Sequence, residues 1–271
     1  SSASGTVSWT NASSTATFSF SANATYYAFA RDLAGNVSKA VPFTIDRIDK
    51  HSPVIDEVSW DRTWSQSKTI TVIAHDTESG LGQYAMTRSI ERPTEWQANN
   101  VFSGITENGT YYLWAKDNVQ RVSGDPDASG SGDGPTEITI DTIDRSKPVM
   151  DAILHSSADN APEGAFAYPY FNVVDRPTLT AHDLGDNGWR DSGIREIQYQ
   201  FVPDGAELTG DWLTYDETEK PAMRDEFLGV IIARAIDNAG NISDPMEAQF
   251  LFETTPPSAQ HVLQPEGWTN G

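Results

Sequence analysis

The sequence predicts an all-β protein made of tandem β-sandwich repeats in an elongated array. Three observations carry this. A boundary stretch recurs: FTIDRIDKHSPVID at 43–56 and ITIDTIDRSKPVMD at 138–151 set Asp46, Asp49, Pro53 and Asp56 opposite Asp141, Asp144, Pro148 and Asp151, each pair 95 residues apart. Self-similarity at a fixed period is the mark of a repeat architecture. Short alternating runs separated by Gly, Asn, Asp and Ser read as strands and tight turns, without helical periodicity. In both boundary copies a β-like run (Phe43, Ile45; Ile138, Ile140) meets acidic residues and then a proline, which cannot continue a ladder. One unit closes there and the next opens. A worn third copy, LFETTPPSAQ, begins at Leu251.

Taken in order, residues 1–48 read as the C-terminal part of a repeat, 49–144 as a complete repeat, 145–255 as a complete repeat with loop insertions, and 256–271 as the start of a further one. The first segment holds strand-like runs at Thr6–Thr10, Thr15–Phe20, Thr25–Arg31 and Val41–Ile45. The second opens with Val54–Trp60 and continues through TITVIAH (Thr69–His75) and Gln83–Arg88. The third repeats the plan: RPTLTAHD from Arg176 matches KTITVIAHD from Lys68, and Ser192-Gly193-Ile194 matches Ser79-Gly80-Leu81. Its insertions, 155–172 and 203–222, are rich in Pro, Gly and aromatics, and 203–228 has room for a helical turn.

Composition narrows the function. A formal charge of −21 and a pI near 4.4 argue against nucleic acid as a partner, because phosphate must be neutralised by Lys and Arg. They also disfavour an anionic membrane surface, and suit a self-repelling chain or one that gathers divalent cations. The absence of cysteine removes disulfides, thiolate metal sites and cysteine nucleophiles together. No stretch approaches the apolar length of a membrane span, so this segment is not expected to insert in a membrane. No signal peptide precedes Ser1; the favoured reading is a piece of something longer.

The phrases ARDLAGNVS (30–38) and AIDNAGNIS (235–243), the SGL/SGI turn and the TIDxxDxxxP boundary together resemble the bacterial immunoglobulin-like (Big-type) tandem repeats of large secreted or cell-surface proteins. The resemblance covers essentially the whole chain outside the two insertions. It implies an immunoglobulin-like sandwich per repeat, an extracellular or cell-surface location, and work in spacing, adhesion or display, with glycan binding in some members. It also implies that an Asp-x-Ala-Gly-Asn turn caps a late hairpin, at Asp32, Ala34, Gly35 and Asn36 and again at Asp237, Ala239, Gly240 and Asn241. Locally, Gly tolerates positive φ while Asp and Asn bond nearby amides. The middle repeat departs from the pattern, reading Asp117-Asn118-Val119-Gln120-Arg121, so its turn should differ.

Calcium is the expected cofactor, since a hard cation wants several oxygens on a tightly turned segment. The loop bearing Asp125, Asp127, Ser129 and Asp133 has oxygens at alternate positions and a glycine at the sixth, but Thr136 stands at the twelfth, where a bidentate Glu belongs. The alternative, favoured by the departure at the twelfth position, is a flexible Gly/Ser/Asp loop. A second acidic loop carries Asp183, Asp186 and Asp191, or is an Asn-Gly turn between strands. The boundary aspartates Asp46, Asp49, Asp141 and Asp144, with Asp56 and Asp151 beside them, form the third candidate; the alternative is solvated charge at a linker.

Other chemistry is thinner. His75 and His182 stand in equivalent Ala-His-Asp contexts and read as strand-end residues bonded to their neighbouring Asp. Ser65-Gln-Ser-Lys68 matches SxxK by letter without its companion motifs. On the late strand one face carries Tyr111, Leu113 and Ala115, the other Tyr112, Trp114 and Lys116; one is core, and the other is covered or stacks on sugars. The insertion 165–171 (AFAYPYF) is a second ligand candidate. The leading expectation is a non-catalytic structural or adhesive spacer, stiffened by calcium, whose partners are neighbouring repeats of the same chain and a cell-wall or host glycan or protein. The alternatives are a carbohydrate- or host-ligand-binding module using the third unit's insertions, and a subunit of a strand-complemented filament in which the run near His261–Leu263 completes a neighbour.

Overall fold

The structure, a computed structural model, describes residues 7–11, 15–125, 134–154, 170–171, 176–185, 188–221, 226–252, 255 and 258–259. Fifteen strands and no helix are found among them. The chain divides into two compact units. One comprises Ser1–Asp61, Thr69–Ile105 and Gly109–Ile140, the other Arg62–Lys68, Thr106–Asn108 and Asp141–Gly271.

In the first unit, β1 (Ala24–Ala28) and β2 (Val41–Ile45) form an antiparallel pair with Tyr26 opposite Phe43. The Tyr26 hydroxyl donates to the Ala22 carbonyl at 2.9 Å, the local bond of a tyrosine corner. There follow β3 (Val54–Ser59), β4 (Lys68–His75), β5 (Leu81–Thr87), β6 (Val101–Ile105), β7 (Gly109–Asp117) and β8 (Thr136–Ile140). They build two three-stranded sheets, β3-β4-β6 and β5-β7-β8. Side chains alternate across a pleated strand, and the burial follows: Ile70 and Val72 point inward from β4, and Tyr111, Leu113 and Ala115 from β7. Ile138 and Ile140 of β8 complete this core. The same alternation makes Asp117 the last inward residue of β7, and it is fully buried.

The other unit holds β9 (Val149–Leu154), β10 (Tyr170–Phe171), β11 (Thr178–His182), β12 (Ile194–Pro203), β13 (Leu213–Thr214), β14 (Phe227–Asp237) and β15 (Met246–Phe252). The pair β9-β11 packs with the sheet β10-β15-β14-β12-β13 around Met150, Leu179, Tyr199, Ile231, Ala233, Ala235 and Phe252. Along β14 the inward set Ile231, Ala233, Ala235 again ends on a fully buried aspartate, Asp237. The protein is thus all-β, in tandem immunoglobulin-like sandwich repeats. Where the sequence left room for a helical turn in 203–228, the described residues instead contribute the short strand β13, paired to β12 through Tyr199 and Leu213. The β-rich flanks and the free edge of β12 decide that segment.

Candidate metal centres

Each boundary stretch is held by an asparagine. Asn23 donates Nδ2 to the Ile48 carbonyl (2.8 Å) and accepts from the Ile48 amide (2.9 Å). Asn108 does the same to Ile143 at 2.6 and 2.9 Å. Both asparagines stand just ahead of the late strand, in NATYY and NGTYY. The clamp fixes the backbone one residue before Asp49 and before Asp144, and so aims those carboxylates.

What they meet is a triad. Carboxylate oxygens of Asp49, Asp76 and Asp117 lie within 4.8 Å of one another, and so do those of Asp144, Asp183 and Asp237. The first triad lies wholly in the first unit and the second wholly in the other. Each draws on the boundary, the residue after the Ala-His pair, and the end of the long late strand.

The Ser-Gly turn knits each triad. In the first, the Ser79 amide donates to Asp49 Oδ2 (3.1 Å) and Asp76 Oδ1 (2.8 Å), and the Gly80 amide to Asp76 Oδ1 (2.6 Å). In the second, the Ser192 amide donates to Asp144 Oδ2 (2.9 Å) and the Gly193 amide to Asp183 Oδ2 (2.8 Å). Gly80 and Gly193 both sit at φ +79°, a conformation that favours glycine. Asn118 and Asn238 brace the turn carbonyls of Ser79 and Ser192, each at 2.8 Å.

The triads differ in how their oxygens are satisfied. Asp237 accepts the Asn241 amide on Oδ1 (2.8 Å) and Asn241 Nδ2 on Oδ2 (2.7 Å), and the Ser192 hydroxyl donates to Asp183 Oδ2 (3.0 Å). Asp117 accepts the Val119 and Arg121 amides on Oδ1, both at 2.8 Å. Its Oδ2 is buried without a hydrogen-bond partner, as is Ser79 Oγ. Burial pushes the Asp117 carboxyl above the usual range against its backbone amides, and the Asp49 and Asp76 carboxylates push it further. Burial also raises Asp183, with Asp144 adding to it.

Of the residues singled out by sequence, Asp49, Asp144 and Asp183 are brought into the triads. Asp46 is exposed; Asp141 is exposed and stands 3.7 Å from Arg190; Asp191 is exposed. Asp125 pairs with Arg92 at 3.0 Å, and Asp127, Ser129, Asp133 and Asp186 lie outside the described residues. Asp76, Asp117 and Asp237 were not among the residues singled out by sequence, although each recurs at the matching place in its repeat, and that recurrence was the available signal. The histidine expectation needs correction: His75 bonds Asp56 (2.8 Å) and His182 bonds Asp151 (2.6 Å), each an aspartate on the paired strand rather than the next residue. Alternation turns Asp76 and Asp183 away from their histidines and toward the turn.

The remaining candidates are structural. Lys68 of the SxxK string is buried and donates to the Thr63 carbonyl, while Ser65 pairs through its backbone with Thr142 and Asp144. The second face of β7 is covered: Trp114 is buried with Ala85 and Val122, and Trp96 packs on them and lies 4.6 Å from Lys116 Nζ. In the 203–222 insertion, Trp212 stacks on Arg234 at 4.0 Å and Thr209 bonds Gln200, so this loop is held on its own sheet. Residues 165–169 and 260–271 lie outside the described residues.

No protein-family model and no curated protein matches the chain. Among solved structures it is similar to the fibronectin(III)-like modules of Clostridium thermocellum CbhA (14% identity, 76% of this chain and 100% of that chain, TM-score 0.30). It is similar also to the FN1–FN3 domains of chicken CNTN1 (11%, 84% and 77%, 0.34). A third likeness is to the three N-terminal domains of the bacteriophage RB49 outer capsid protein Hoc (9%, 89% and 92%, 0.38).

Proposed function

We propose that this chain is a non-catalytic spacer segment of a bacterial secreted or surface-displayed protein, whose repeats hold an adhesive or displayed element at a distance. The observation that carries the reading is recurrence: the asparagine clamp, the Ser-Gly turn and the carboxylate triad return at matching places in successive repeats. Catalysis needs one constellation. A feature built again in successive repeats belongs to the construction of the array, where each repeat contacts mainly its neighbours. The acidic composition fits such a chain, since like charge opposes self-association. Among the described residues no helix is long and apolar enough to cross a membrane.

Calcium in this reading stiffens the start of the repeat that opens at Asp49, where the first triad gathers its boundary aspartate. The test is small-angle scattering on chelator-treated and calcium-restored protein. The expected result is a larger maximum dimension and a narrower conformational spread with calcium. Identical profiles overturn the stiffening, and specific retention of residues 145–255 on a glycan array overturns the spacer in favour of a binding module.

A further inference from the structure

We propose that the first triad, Asp49, Asp76 and Asp117 together with the Ser79 hydroxyl, is a binding site for a divalent cation of the calcium type, and that the second triad is a self-capped counterpart that does without one. This deepens the spacer reading and rests on it only for the purpose that the ion serves.

Acidic clusters are common on an acidic protein. The independent observation is Asp117 itself: the residue is fully buried, it ends the inward face of β7, and its Oδ2 has no donor. A buried carboxylate oxygen left unpaired is costly, and more so beside two further carboxylates. Ser79 Oγ, on the turn that bonds both Asp49 and Asp76, is buried without a partner too.

The cause is one substitution within the repeat. In the Asp-x-Ala-Gly-Asn turn the last asparagine turns its amide back onto the aspartate: Asn36 Nδ2 reaches Asp32 Oδ2 at 2.8 Å, and Asn241 Nδ2 reaches Asp237 Oδ2 at 2.7 Å. Arg121 occupies that place here and bonds Asp117 through its backbone amide alone on Oδ1. The glycine one residue earlier is replaced by Gln120, which keeps φ at +75°. The turn has lost both of its preferred residues at the point where a carboxylate is orphaned, and such breaches of local rules concentrate at functional sites.

The chemistry selects the ion. Three carboxylates and a hydroxyl are hard oxygen donors, without nitrogen or sulfur. Calcium–oxygen bonds of about 2.4 Å let one ion touch oxygens up to about 4.8 Å apart, which the triad satisfies. Magnesium, held to near-ideal octahedra with shorter bonds, fits less well. In the second triad each of the corresponding oxygens already accepts a bond: Asp144 from the Ser146 and Ser192 amides, Asp183 from Leu184, Ser192 and Gly193, Asp237 from Asn241.

Isothermal titration of the 271-residue chain with calcium chloride and with magnesium chloride, after removal of chelator, tests the assignment. The expected result is one calcium per chain with magnesium at least tenfold weaker. Asp117→Asn abolishes the heat. Arg121→Asn restores the amide cap and weakens calcium at least tenfold, while its melting temperature in chelator equals or exceeds that of the wild type, so that misfolding cannot explain the loss. Absence of calcium binding at millimolar concentration overturns the site, as does unchanged affinity in Arg121→Asn or two equal sites. Failure of the site leaves the spacer reading standing, whereas calcium bound with unchanged scattering removes the stiffening and leaves the site.

Discussion

Asp32, Asp117 and Asp237 stand at the same place in successive repeats, and the residue four positions on decides what each carboxylate does. In the first, the Asn36 side chain and then its backbone amide hold the Asp32 carboxyl below the usual value of 3.8. The folded form therefore favours the ionised group, and the stability that it contributes is present above the ordinary aspartate value and lost as pH falls through the lowered one. Asn36→Ala is expected to return the Asp32 pKa toward 3.8, as read by carboxyl-carbon NMR titration. At Gln120 the strain is in the backbone: left-handed geometry costs a non-glycine residue about 1–2 kcal/mol, and its φ is +75°. Gln120→Gly is expected to raise stability by about 1 kcal/mol in urea unfolding, even after the added freedom of the unfolded chain.

At the scale of the element, β7 and β14 are the axes of their sheets, each an alternating strand that ends in a buried aspartate. Leu113 is fully buried in β7, and Leu113→Ala is expected to cost about 2–5 kcal/mol in chemical denaturation, the range for a large-to-small core change. Gly229 in β14 is constrained differently. A Cβ there would lie 2.2 Å from the Val202 carbonyl oxygen of β12, whose next residue pairs with it across the ladder. Gly229→Ala should force the two strands apart locally, lowering stability by about 1–3 kcal/mol and amide protection at the 202–204 end of β12 before that at Ile197. Part of this was legible in advance: the alternating run TITVIAH gave β4, because a two-residue period has one reading in a half-buried strand, and its match RPTLTAHD gave β11. The strand β13 was not, because its two residues are exposed and take their conformation from the edge of β12.

For the whole molecule, the two units offer separate handles. Calorimetry should resolve a transition lowered by Leu113→Ala and another lowered by Ile231→Ala, both residues being fully buried in their own units. Calcium at a hundredfold excess over its dissociation constant stabilises the state that binds it by about 2.7 kcal/mol. It is expected to raise the transition that Leu113→Ala lowers and to leave the other within error. Equal shifts of both would assign the ion to both triads.

The sequence by itself determined the repeat, the all-β class and the chemistry of the boundary, because a fixed period, a two-residue alternation and a proline after acidic residues each have a local physical cause. It also held every member of both triads in matching positions. What it could not rank was which aspartates converge. Asp46 and Asp49 are three residues apart and equally acidic on the page, yet the Asn23 clamp on Ile48 aims the second inward while the first stays exposed. Likewise Asp56 and Asp76 compete for His75, and strand pairing awards it to Asp56. Convergence of residues 27 to 93 positions apart is set by strand register and sheet packing. Only the tertiary structure decided that, and with it the difference between an aspartate capped by an asparagine and one left facing two others.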